Sequence, residues 1–175
     1  MQERKLYGDA RLIEQLIGKM QLMEEAAGGL AAVYKEAAAG RFWMKCYTTA
    51  GEQSSGGGYE LLIRLPLPTT EELIQVALHS PHEDEAVAAI MRLLEEEAIE
   101  QKDFREKLVQ RLEELDLQTM EAGQKQWLRK VITLTSLIDP LNKREVLGKT
   151  AEQVQADVAY FEAVSERARQ LLRKL

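Results

Sequence analysis

Disulfides are excluded at the outset, because Cys46 is the one cysteine in 175 residues. Nothing therefore asks for an oxidising compartment. Four prolines and eleven glycines are too few for a collagen-like or proline-rich chain. No stretch approaches about 18 consecutive apolar residues, which excludes a transmembrane helix from the reading. Met1-Gln2-Glu3-Arg4-Lys5 leads into an amphipathic stretch without the unbroken apolar region of a signal peptide, so a cytoplasmic protein is expected. An excess of positive charge is also missing. Twenty-three Lys and Arg stand against 29 Asp and Glu, a net charge of −6, which opposes binding to nucleic acid phosphates.

What is present is ample for a core. Apolar residues make up 45% of the chain, and a chain this long buries about 70% of its unfolded surface. A single domain over residues 1–175 is the expectation.

From about Asp9 to Ala39 the apolar positions Ile13, Leu16, Met20, Met23, Ala27, Leu30, Tyr34 and Ala37 recur at alternating intervals of three and four. That spacing predicts one long helix, bent or broken at Gly28-Gly29. Gly40 ends it. Arg41 to Thr49 is then aromatic and β-branched, and Tyr59 to Leu65 alternates at period two, so a β-hairpin is expected over about 41–65, with a polar Ser54–Gly58 tip. A phosphate-cradling loop would need a Lys-Ser/Thr step opening a helix after those glycines; Tyr59-Glu60 opens a strand instead.

Helical hairpins are expected over about 69–175. Thr69-x-x-Glu72, Ser80-Pro81-His82-Glu83, Asn142-x-x-Glu145 and Thr150-x-x-Gln153 read as helix starts. Apolar residues from Trp127 to Ile138 nearly encircle their helix, predicting the most buried element. Thr70 to Val87, a helix followed by a proline-containing turn, acidic residues and a second apolar helix, resembles a HEAT-type helical hairpin. A second pair near Lys102 to Leu137 extends the resemblance to residues 70–138. It implies stacked antiparallel helices. The expected fold is thus mainly α, an all-α helical-hairpin domain (HEAT-like or a bundle) with one inserted β-hairpin.

The candidate functional residues follow. His79, His82 and Asp84 lie in an acidic turn with metal-ligand residue types, but first-turn carboxylates also complement the positive end of a helix. Cys46 reads as a small strand hydrophobe rather than a nucleophile, and Glu95, Glu96, Glu97 and Glu100 as a solvated helix face. Trp43 and Tyr47 share a strand face as aromatic anchors for a partner. Lys143, Arg144 and Lys149 sit on a polar connection between two apolar helices, where they could engage an acidic partner or merely solvate a corner.

Together these point to a non-catalytic cytoplasmic protein-interaction module, an adaptor, inhibitor or immunity-type protein, whose partner is another protein. No catalytic residues, cofactor, nucleic acid or membrane enter this reading. A homodimer through the long terminal helices is a further expectation. The alternative is a small-molecule- or metal-binding protein using the His79/His82 turn.

Overall fold

The computed structural model describes residues 3–49 and 58–175. Along the chain run β1 (Leu6–Tyr7), α1 (Ala10–Ile17), β2 (Met20–Glu25), β3 (Ala31–Glu36), β4 (Phe42–Thr48), β5 (Tyr59–Arg64), α2 (Thr70–His79), α3 (Glu83–Glu100), α4 (Arg105–Glu113), α5 (Ala122–Leu134) and α6 (Ala151–Lys174). The strands form one antiparallel sheet in the order β1-β5-β4-β3-β2. The fold is therefore α+β, and the expectation of an all-α chain with a single β-hairpin is overturned. Two compact units divide within α3, the first ending at Glu95 and the second beginning at Glu96.

The error lies in residues 9–39. Only Ala10–Ile17 is helical there, with the Asp9 carboxylate accepting from the Leu12 amide at 2.9 Å. Met20–Glu25 and Ala31–Glu36 instead pair as an antiparallel hairpin. Gly28 and Gly29 have φ of 84° and 70°, a left-handed pair that a continuing helix does not accept but a tight reversal requires. The spacing of three and four is a helical signal, but β2 is largely exposed and bulged between Leu22 and Glu24, so the period did not decide its conformation and sheet pairing overrode it. Gly40, at φ 65°, closes the next reversal, where its amide donates to the Glu36 carbonyl at 2.8 Å.

The expected pairing of β4 with β5 is present, with Met44 opposite Ile63 and Cys46 opposite Leu61. The strand is more buried than its alternation implies. Leu61, Leu62 and Ile63 are all fully buried, because both faces of the sheet are covered at this point. On one side Trp43 and Leu62 pack with Ile13 of α1, joined by Tyr7, Leu16, Ile17 and Met20. On the other lie Leu6, Leu61 and Ile63, and α3 is tied to both ends of this strand region through its carboxylates. Glu85 accepts from the Lys5 amide at 2.7 Å and the Leu6 amide at 3.4 Å, and Glu95 accepts from the Thr49 amide at 3.0 Å. The outer edge is β2. A bulge between Leu22 and Glu24 and the acids Glu24 and Glu25 blunt it against strand addition.

Two of the four helix starts expected after Pro68 are present. Thr69 and Thr150 each form a complete capping box. Ser80 does not start α3 at Pro81. It closes α2, accepts from the His82 amide at 3.1 Å and donates to Glu85 at 2.6 Å. Asn142 starts no helix, since its side-chain oxygen takes the Arg144 amide at 2.8 Å in a local turn. Nor is α5 the most buried helix. It buries Leu128, Val131 and Ile132, whereas α3 buries Glu85, Ala86, Ala88, Ala89, Ile90, Met91, Leu93 and Glu96. Among the described residues no helix is long and apolar enough to cross a membrane.

Candidate functional site

The first expected site disperses. Trp43 is only 4% exposed, with its ring 5.5 Å from that of Tyr7 and its indole N–H 3.5 Å from Glu36. It is a core residue and offers no surface to a partner. Tyr47 is 42% exposed, its hydroxyl 3.3 Å from Glu60 and the Lys45 ammonium 5.6 Å from its ring. The strand parity that places both on one face is correct, but α1 covers one and leaves the other.

The acidic turn is committed to structure as well. Asp84 takes the Arg4 guanidinium at 2.5 Å and the Gly8 amide at 3.3 Å, and these partners outweigh burial to hold its carboxyl below the ordinary aspartate range. His79 lines a cleft of about 270 Å³ with Glu3, Lys5, Gln75, Ser80 and Glu85, while His82 lies outside that lining. The charged groups of the cleft are largely engaged: Glu3 with Arg41 and Arg64, Lys5 with Glu72 at 2.5 Å, and Glu85 with two amides and Ser80. Among the described residues no group of three His, Cys, Asp or Glu converges as a metal site.

The Lys5–Glu72 pair has a measurable consequence. Its hydrogen bond, with the Thr69 amide, pulls the Glu72 carboxyl down to about 2, against about 4.3 in an unfolded chain. A depressed carboxyl stabilises the fold above the unfolded value and loses that contribution as pH falls towards 2. Glu72 is 45% exposed, so screening keeps the effect at or below about 1 kcal/mol. Glu72→Gln can retain the capping box while deleting the charge. Urea unfolding should show this variant less stable than wild type at pH 7 and equal to it near pH 2; a constant gap would refute the assignment.

The remaining sequence candidates are structural. Burial raises the Cys46 thiol above its ordinary value, as in an inert core cysteine. Glu97 and Glu100 hold Arg105 and Lys102, so the acidic run is not simply a solvated face. The stretch 54–57 lies outside the described residues.

The connection between α5 and α6 is different. Each of its cations is spent internally: Lys143 on Asp139, Arg144 on Asp157 at 2.7 Å and Asp103 at 3.4 Å, and Lys149 on Asp157. These pairs hold the Asp139 and Asp157 carboxyls below the ordinary range, through Lys143 at the first and Lys149 with Arg144 at the second. Arg144 also lies 4.4 Å over the Tyr160 ring, whose hydroxyl donates to Asp103. At the start of the connection Arg105 donates to the carbonyls of Thr135 at 3.1 Å and Ser136 at 3.2 Å, and Arg169 donates to that of Ile138 at 3.0 Å. Glu145 is tied by its amide to Gln101 at 3.2 Å.

These pins hold a segment whose apolar side chains point outward. Leu141 is 66% exposed, Val146 55% and Leu147 95%. Leu147 immediately precedes Gly148, at φ 79°, in a turn closed by the Lys149 amide on the Val146 carbonyl at 3.1 Å. Sequence reading selected the cations as contact residues and passed over these three. Their signal was apolar residues without helical or strand period, set among Pro140, Asn142 and Gly148.

No family model, curated protein or solved structure matches the chain.

Proposed function

We propose that the chain is a non-catalytic protein-interaction module of the cytoplasm, an adaptor, inhibitor or immunity-type protein, whose contact surface is the α5–α6 connection. The observation that carries this reading is Leu147, 95% exposed on a segment tied down by ion pairs at Asp139 and Asp157. Displaying apolar side chains in water forgoes burial, and a surface so built gains that energy when a partner covers it. Holding the segment in advance removes part of the ordering entropy that binding would otherwise cost. The cations Lys143, Arg144 and Lys149 position the surface rather than touch the partner. The HEAT-like reading of residues 70–138 belongs to the same proposal, since α2 with α3 and α4 with α5 fall within that span as two successive helix pairs.

The test is partner capture by the full chain bearing Leu141→Ser and Leu147→Ser. Burying one leucine contributes about 1.5–3 kcal/mol, so affinity should fall at least about tenfold while circular dichroism stays unchanged. Capture at undiminished affinity would remove the connection from the interface.

A further inference from the structure

We infer that residues 144–149 form a strap latched by a single carboxylate: Asp157 of α6 holds both ends of the segment, and the strap lifts as one unit when that carboxylate is neutralised. Asp157 is buried, yet its two oxygens serve opposite ends of one short stretch. Oδ1 accepts from Arg144 Nη1 at 2.7 Å, and Oδ2 accepts from Lys149 Nζ. Between the two cations Glu145, Val146, Leu147 and Gly148 are all exposed, so apolar burial does little to hold them. The other ties are polar and weaker. The Arg144 guanidinium reaches Asp103 at 3.4 Å and lies over the Tyr160 ring, and the Glu145 amide donates to Gln101 at 3.2 Å. Charge-assisted hydrogen bonds are about twice as strong as neutral ones, and the two shortest of these contacts both end on Asp157. The charged and titratable groups around the latch are thus Arg144 and Lys149 of the connection, Asp103 ahead of α4, and Tyr160 one turn along α6. Lys149 and Arg144 hold the Asp157 carboxyl below its ordinary range, so the latch is shut at neutral pH and is lost as pH falls through that lowered value.

The bounds of the strap are set by what stays fixed on either side. Before it, Asp139 accepts from the Leu141 amide at 3.0 Å and pairs with Lys143. After it, Thr150 and Gln153 form the capping box that starts α6. Neither anchor uses Asp157, so loss of the latch leaves both in place. Lifting the strap ends the fixed display of Val146 and Leu147 and uncovers two cations at once. This is a property of the chain alone. It goes beyond the interaction reading, which needs a partner, and each can fail without the other.

Hydrogen exchange of the full chain, resolved at the Glu145 and Lys149 amides, tests the latch. Both amides are bonded in the closed strap, to Gln101 and to the Val146 carbonyl, so each exchanges when the strap opens. Asp157→Asn keeps the size of the side chain and removes its charge; it should speed both at least about tenfold. Arg144→Gln with Lys149→Gln should do the same from the strap side without touching α6. Adding Asp157→Asn to that pair should add nothing, because residues that act through one shared contact are not additive. Trypsin gives a second reading. In Asp157→Asn, cleavage after Arg144 and Lys149 should accelerate by a similar factor while cleavage elsewhere does not, since cutting follows the open population. Amides already unprotected in wild type, or unchanged in Asp157→Asn, or accelerated at only one of the two positions, overturn the inference. So does an additive triple variant. Acceleration spread along α6 would assign Asp157 to the helix and not to the strap, and overturns it equally.

Discussion

Replacing Arg105 by alanine should lower the unfolding free energy by about 3–5 kcal/mol, the usual range when one member of a buried ion pair is removed. Arg105 is 2% exposed. Its guanidinium forks onto Glu97, with Nε 2.5 Å and Nη2 2.7 Å from the two carboxylate oxygens, while Nη1 serves the Thr135 and Ser136 carbonyls. The rings of Phe104 and Phe161 lie 5.2 and 5.6 Å from its central carbon. Alanine would leave a largely buried carboxylate without its counter-ion and would remove the donors to two backbone carbonyls, each costly to leave unpaired. Lysine should rescue little, because a single ammonium cannot reproduce the planar fork. Arg105→Met with Glu97→Leu should recover most of the loss, since removing both charges removes the uncompensated one. Urea titration of the four proteins checks this. An alanine variant within about 1 kcal/mol of wild type would show that the fork contributes little net stability. The same residue ties α4 to the end of α5, so the alanine variant should also blunt any binding that uses Leu141 and Leu147.

Arg105 illustrates what was legible in the sequence and what was not. The starts of α2 and α6 were readable because they are chemical signatures local to the chain. Thr69 with Glu72 and Thr150 with Gln153 are capping boxes in sequence and in structure alike. The β4–β5 hairpin was readable from its alternation. By contrast, β2 and β3 were hidden in a spacing of three and four that signals a helix, and the decision lay with pairing to β4, from Ala31 opposite Cys46 to Lys35 opposite Phe42. The cations of the α5–α6 connection were found, but their role was not. Asp139 lies four residues before Lys143, a visible pairing distance, yet Asp157 is eight beyond Lys149 and Asp103 is 41 before Arg144. Charges whose partners arrive from other elements look available in a sequence. Once they are paired, the outward-facing leucines and valine beside them become the distinctive feature.

Trp43→Ala and Tyr47→Ala should part company by several kcal/mol, although the two residues lie on the same strand and point to the same side. At Trp43, truncation removes a ring packed with Ile13 and Leu62 and set against Tyr7, and α1 cannot collapse fully into the void. Large aromatic truncations in such cores cost about 3–5 kcal/mol. Tyr47 contributes one exposed hydroxyl contact and an ammonium near its ring, so its loss should stay within about 0.5 kcal/mol. Thermal and urea unfolding followed by circular dichroism separate the two directly. The result also bears on binding. A Trp43→Ala variant that loses a partner will have lost it through unfolding, whereas Tyr47→Ala keeps the fold and leaves the α5–α6 connection intact, so its binding should be unchanged. A folded Tyr47→Ala variant that fails to bind would move the interface to the sheet and away from Leu147. Equal stability losses in both variants would mean that α1 does not cover Trp43 in solution.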